Sequence, residues 1–393
     1  MEEEKTHKKI LFCASAASHI INFHNIYFRY LNSMGFEVHA AVGIGINTAN
    51  TDDSGTDDID LIKSQKNFVL SFEKGKKFFK NLKTVFTIAK IIQREKYNIV
   101  STHSMLAGLI GRLAVIFSCN KKVRVIHTCH GYLFNDDGCF KTRLMIFIEK
   151  FLSLRTDVLF VMNGDDYNIA EKYKLCRIIE YTSGMGIDIK KLNSNKLEYD
   201  CQKYNIQKNK KDKKYFLCVG EFSKRKNQEN IIYAFSRFIR SLPDNLYSSY
   251  HLIFIGCGTL ISKCKKLCER LGINNHVTFC GYVRDTSGFY KFFAHCVISA
   301  SKFEGLPFNI MEALYYGKPV IASNVKGHKD LISDGFNGYL YEYNDDIQLF
   351  ECFKKMADIN IYTKLKNNAY LDEKYYFDNI KEKILNCYGN MQS

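Results

Sequence analysis

The sequence predicts an α/β protein built from two doubly wound, Rossmann-like domains. Three observations carry that expectation. The chain has 393 residues, more than one ordinary core accommodates. Short apolar, strand-like runs alternate with amphipathic helical stretches, and the series occurs twice. Between the two series lies "KLNSNKLEYDCQKYNIQKNKKDKK" (191–214), polar and charge-dense with no periodic apolar face, which reads as a linker. The predicted division is 1–195 for the first domain and 196–375 for the second, with a last helix of about 376–393 packing back on the first.

The first series opens with "KKILFCAS" (8–15) as a buried strand. A helix over 22–35 ends at Gly35, and "FEVHAAVG" follows as a strand. Then come helix "KTVFTIAKIIQREK", strand "NIVSTH", helix "MLAGLIGRLAVIFS", strand "KVRVIHTCH", strand "TDVLFVMN" and a helix starting near Asp165. The second series runs strand "YFLCVG", helix "NQENIIYAFSRFIRSL", strand "HLIFIG", helix "ISKCKKLCERLG", strands "VTFCG" and "CVISAS", helix "NIMEALYYG" and strand "PVIAS"; "DNIKEKILNCYG" reads as a final amphipathic helix. Such βαβα alternation implies parallel sheets covered on both faces. Two domains of this kind are expected to face a central cleft with the C-terminal ends of their strands, the usual ligand edge.

Composition narrows the classes. The net charge of +15 suits anionic partners in general: nucleic acid, a membrane surface or a phosphorylated small molecule. The charged start "MEEEKTHKK" leads directly into "ILFCAS" and is not read as a secretory leader. The fourteen cysteines, with no Cys-x-x-Cys among them, are therefore expected as reduced thiols in a cytosol. The longest apolar run is interrupted by Arg112 and is shorter than the roughly 20 residues that cross a bilayer.

Four stretches could carry chemistry. In "FEGLPFNIMEA" (303–313), Glu304 precedes a helix start at Pro307 and Glu312 lies inside that helix. The helix N-terminus offers free N–H groups to an anion, and the carboxylates can accept from ligand hydroxyls. The bland alternative makes Glu304 a helix cap and Glu312 a surface residue. In "VGEFSKRKNQENII", Lys224, Arg225 and Lys226 crowd a strand-to-helix loop, which fits a diphosphate or, more plainly, a solvated charge run. "HTCHGYLF" places His127 and His130 at a strand end, for acid–base work or for structure. The small-residue run "CASAAS" leads to Ser18 and His19 but lacks the glycines of a dinucleotide fingerprint, which counts against an NAD enzyme. The acidic run 50–61 fails the calcium-loop pattern because Leu61 stands where Glu is needed; its Asp58/Asp60 pair could hold the metal of a metal-dependent sugar transferase or, more plainly, belongs to a solvated loop with no metal.

Taken together, "EGLPFNIMEALYYGKPVIAS" resembles the glutamate-x7-glutamate motif of retaining, GT-B-fold glycosyltransferases of family 4, closest to the bacterial capsule and exopolysaccharide type. "ASAASHIINFHNIYFRYLNSMGFEVHAAV", "VIHTCHGYLF", "TDVLFVMNGDDYNIAEKY", "SGMGIDIKKLN", "VGEFSKRKNQENIIYAF", "FCGYVRD" and "NVKGHKDLISDGFNGYLY" follow that family's order. The resemblance implies that Glu304 binds hydroxyls of the donor sugar and that Glu312 grips the ribose. Backbone N–H groups of Gly305, Leu306 and Phe308 would line the sugar and diphosphate, and Lys226 would hold the diphosphate. His130 would contact the donor sugar, and the backbone at Tyr282 and Val283 would read the base. Two departures stand out. Glu221 occupies the position of the family's arginine, leaving Arg225 to supply the second positive charge. The run Ala14–Ser18 replaces the glycine-rich first-domain loop, where Ser18 and His19 are the donor-contact candidates.

The implied activity is metal- and cofactor-independent transfer from a UDP-sugar to a glycan or undecaprenyl-diphosphate-linked acceptor at the inner membrane face. The lysines and phenylalanines of "KGKKFFKNLKTVF" (74–86) fit a peripheral contact with anionic lipid, or an ordinary solvated helix face. The rivals are a nucleotide-sugar 2-epimerase of the same fold and a basic nucleic-acid-binding protein; no RNP, helix-turn-helix or zinc-finger pattern supports the latter.

Overall fold

The computed structural model describes residues 8–43, 57–73, 79–193, 206 and 213–392. Most of the predicted linker, the start of the basic run at 74–78 and residues 50–56 of the acidic run lie outside them. The chain forms two compact units: one reaches Gly186 and resumes at Phe377, and the other is Ile187–Tyr376.

The first unit carries β1 (Lys8–Ala14), α1 (Ala17–Phe23), α2 (Asn25–Ser33), β2 (Phe36–Gly43), α3 (Asp57–Asp60), β3 (Lys66–Leu70), α4 (Lys80–Glu95), β4 (Ile99–His103), α5 (Met105–Phe117), β5 (Arg124–Cys129), α6 (Phe140–Ser153), β6 (Val158–Val161), α7 (Gly164–Tyr173) and β7 (Ile178–Tyr181). Its seven strands are all parallel, in the order β3-β2-β1-β4-β5-β6-β7. The central strands are almost wholly buried, as expected of a sheet covered on both faces. Arg112, the charge interrupting the apolar α5, is buried there because it forms a two-pronged pair with Glu149 of α6, at 2.9 and 3.0 Å.

The second unit starts with α8 (Ile189–Asn193), followed by β8 (Lys214–Val219), α9 (Gln228–Ser241), α10 (Asp244–Tyr247), β9 (Tyr250–Ile255), α11 (Ile261–Arg270), β10 (Val277–Phe279), β11 (Ala294–Ser299), α12 (Phe308–Tyr315), β12 (Val320–Ser323), β13 (Gly338–Tyr341), α13 (Asp346–Ala357) and α14 (Ile359–Asn368). Six parallel strands run in the order β10-β9-β8-β11-β12-β13. Their core centres on Phe216, Phe235, Phe238 and Phe353, whose rings lie 4.8–6.2 Å apart. The final helix, α15 (Phe377–Gly389), belongs to the first unit. There Phe377 meets Tyr27, and the Tyr388 hydroxyl lies 2.7 Å from Ser101 Oγ.

Several elements differ from expectation. The single helix over 22–35 is two helices that meet at His24, whose φ of −120° interrupts the helical path. Helix α1 begins at Ala17, so part of the small-residue run is its first turn. Helix α8, placed by sequence in the first domain, packs with the second unit, because the Tyr315 and Tyr316 hydroxyls donate to Asn193 Oδ1 and Leu192 O.

Candidate active site

In the second unit, three loops meet at strand C-terminal ends. One follows β8 and carries Arg225 and Lys226; one follows β11 and carries Glu304; the third, after β12, carries Gly327 and His328. Two bonds lace the first two together: the Lys302 N–H donates to Arg225 O at 2.8 Å, and the Arg225 side chain donates from Nη1 to Phe303 O at 3.1 Å. Asn309 on α12 donates to Val219 O at 3.1 Å, which ties the helix start to the end of β8.

Glu304 is the centre of this corner. Arg225 Nη1 and Lys226 Nζ both reach its Oε1 at 2.7 Å. Burial opposes its ionisation, but Lys226 first and Arg225 second outweigh that and hold the carboxyl well below the usual carboxylate range. Both cations use one oxygen, Oε1. His328 is buried beneath the corner between Ser299 Oγ and Ser323 O, and burial lowers its pKa to about 4 against the pull of Glu304. The described partners of the Glu304 carboxylate are Arg225 and Lys226, and Pro307, the residue that precedes α12, makes no side-chain cap.

Glu312 is no simple surface residue. It is half-buried, and burial raises its pKa to about 7; Tyr290, standing off at less than a full hydrogen bond, and Lys191 pull it down, while Asp285 adds to the rise. Gly305 and Leu306 are buried and Phe308 is half-buried; Tyr282 is exposed and Val283 half-buried in the loop after β10. Glu221 is exposed, while its backbone carbonyl accepts from Gln228.

In the first unit, the sheet order puts the ends of β1, β4 and β5 side by side. His103 is the last residue of β4, His130 follows β5, His19 lies in α1, and His24 sits at the junction of α1 and α2. The Nε2 atoms of His19 and His130 lie 3.1 Å apart, and His130 Nε2 is 3.5 Å from His103 Nδ1. Ser18 is exposed on the first turn of α1 and stands apart from this group. His127 is inside β5, packed against Gly108 and bonded to Thr102, a structural role. Asp60 ends α3 and is exposed. His24 and His103 were not picked out from the sequence; for His103 the signal was "STH", which like "CH" at His130 places a histidine at a strand's C-terminal end, whereas His24 lies between two helices and carried no such signal.

Two doubly wound units with ligand-type loops at their strand ends define a GT-B glycosyltransferase. The chain carries two glycosyltransferase domains: residues 27–178 match the family described as Glycosyltransferase Family 4, and residues 202–372 match Glycosyl transferases group 1. It is 28% identical over 341 residues to the putative glycosyltransferase EpsD of Bacillus subtilis, covering 86% of this chain and 84% of the relative. It is 25% identical to the UDP-Gal:alpha-D-GlcNAc-diphosphoundecaprenol alpha-1,3-galactosyltransferase of Escherichia coli, covering 77% of each. In fold it is similar to Anabaena HepE, solved in complex with UDP and glucose, with a TM-score of 0.71 and 15% identity over 98% of this chain and all of the other.

Proposed function

We propose that this glycosyltransferase moves a sugar from a UDP-sugar to a lipid-linked or growing surface-polysaccharide acceptor, with retained anomeric configuration and no metal in the transfer step. The observation that carries the reading is the pairing of Lys226 and Arg225 on one oxygen of Glu304, four residues before the start of α12. In the departing state the sugar ring gains positive charge and the diphosphate negative charge. Lys226, Arg225 and the helix N–H groups supply fixed positive charge to the diphosphate. The two cations pass from Glu304 to the incoming phosphates, and Glu304 turns its oxygens to sugar hydroxyls. Glu312, once ionised, accepts from the ribose, while the backbone at Gly305, Leu306, Phe308, Tyr282 and Val283 lines the donor. His130 is assigned to the sugar by the family resemblance. The E. coli relative's name supports a UDP-sugar donor and a diphosphoundecaprenol-linked acceptor.

The acceptor's lipid gives the first unit a reason to meet a membrane surface. No helix among the described residues is long and apolar enough to cross one. Helices α4, α5 and α6 pack in sequence as one layer, and the layer exposes Phe79, Leu82 and Phe86, then Phe117, which touches Phe86. On α6, Phe140, Leu144, Phe147 and Phe151 stand exposed at helical spacing among Lys141, Arg143 and Lys150. An apolar stripe with basic flanks suits an anionic interface. Phe147→Glu is expected to remove binding to phosphatidylglycerol vesicles at low salt; equal binding by the variant would refute the α6 face.

A donor screen tests the reaction itself. UDP- and GDP-sugars are incubated with a lipid-linked acceptor in chelator, and nucleotide release and product anomer are read. Acceptor-dependent UDP release is expected. An epimer formed from UDP-sugar alone, with no acceptor dependence, would replace the transferase reading with an epimerase.

A further inference from the structure

We propose that His19, His24, His103 and His130 form a binding site for one divalent transition-metal ion of the zinc class, held by four neutral imidazole nitrogens. One ring nitrogen from each lies within 4.8 Å of those of the other three. A tetrahedral ion with metal–nitrogen bonds of about 2.0–2.1 Å needs nitrogens about 3.3–3.4 Å apart. The two separations of 3.1 and 3.5 Å, His19 to His130 and His130 to His103, bracket that edge.

His24 supplies an independent observation. It is 1% exposed, its ring lies 3.8 Å from that of His103, and neither nitrogen finds a hydrogen-bond partner among the described residues. A buried polar group left without a partner is costly, and a metal–nitrogen bond would satisfy it. The outer shell is also laid out. His103 Nε2 lies 3.0 Å from Ser101 Oγ, which lies 2.7 Å from the Tyr388 hydroxyl, leaving His103 Nδ1 for the centre. Such outer partners fix the ring and its tautomer. The set is all nitrogen, so oxygen-seeking Mg²⁺ and Ca²⁺ do not fit it and Zn²⁺ does.

A metal held by His130 Nε2 would take that atom away from a sugar oxygen. On the donor role proposed for His130, zinc occupancy therefore switches transfer off; the binding site itself does not depend on that role.

The test uses the full chain, stripped with a chelator and titrated with Zn²⁺ by calorimetry and with Co²⁺ by optical absorption, without any sugar. One equivalent of Zn²⁺ and a tetrahedral Co²⁺ spectrum lacking a thiolate band are expected. Ser101→Ala should weaken Zn²⁺ by about 10–100-fold, the usual cost of an outer-shell partner, and His24→Ala by more. Ser101→Ala still gives a reading if His24→Ala does not fold. Failure of the wild type to take up an equivalent would overturn the site. So would uptake unchanged by His24→Ala, which would point to the exposed thiols Cys119 and Cys139. Because no donor is present, a failed transfer assay counts against the proposed reaction and leaves this site standing.

Discussion

The two units treat their buried polar groups in opposite ways. In the second, Glu304 is a charged group with two cations on one of its oxygens. In the first, burial pushes the pKa of His24 well below the usual histidine range, and its ring has no hydrogen-bond partner among the described residues. A corner that is already charge-paired holds its geometry without ligand and can exchange partners when one arrives. A neutral cluster has no internal partner to exchange and gains most from an added cation. The first unit shows the paired solution too, in Arg112–Glu149, but that pair is buried between α5 and α6.

The largest effect comes from breaking the sealed pair. Glu149→Ala leaves Arg112 buried and uncompensated, and a loss of about 3–5 kcal/mol of stability is expected in urea unfolding. A loss below about 1 kcal/mol would mean that Arg112 reaches water and that the two pairs do not differ in kind.

Next comes the exchangeable corner. Lys226→Ala should lower turnover by about two to three powers of ten, the cost of one preorganised electrostatic contact, with the fold intact by circular dichroism. Glu304→Ala should also cripple transfer. Near-normal turnover in Lys226→Ala would mean that the corner only stabilises the loops.

The smallest effect concerns Glu312. Its pKa in the folded chain, about 7, lies above the ordinary 4.5, so between those values the folded state binds the proton more tightly than the unfolded state. The contribution of Glu312 to stability is therefore fully present below about 4.5 and is lost as pH rises toward 7. Donor binding runs the other way, because the ribose needs the ionised form: the donor KM should fall as pH rises to about 7 and then level off. Glu312→Gln should flatten both trends and raise KM more than it lowers kcat. Wild-type and variant profiles that superimpose would remove Glu312 from the ribose.

How much of this was legible follows from where each signal lay. The two βαβα series and the Glu304/Glu312 segment were readable because buried parallel strands are continuous apolar runs and because Pro307 marks a helix start. The edge strand β3 was missed because its five residues alternate irregularly between exposed and half-buried. Helix α6 was missed because Phe140, Phe147 and Phe151 face outward, which blurs the single apolar face that periodicity detects. The pairing of Glu304 with Arg225 and Lys226 joins residues nearly eighty positions apart, and no local pattern encodes it. The histidine cluster depends on strand order: β1, β4 and β5 are neighbours only because the chain doubles back across the sheet.

The loop after β12 adds a mechanical limit to the charged corner. Gly327 has a φ of +79°, and a methyl group there would lie 2.4 Å from Gly305 O and 3.0 Å from Glu304 O. Gly327 therefore sets the floor on which the Glu304 segment rests. Raising that floor by one carbon tilts the carboxylate away from both cations, so a variant that touches no donor atom, Gly327→Ala, should behave like a change at Glu304 itself. The selectivity of the corner is thus partly a matter of clearance, set by a residue with no side chain.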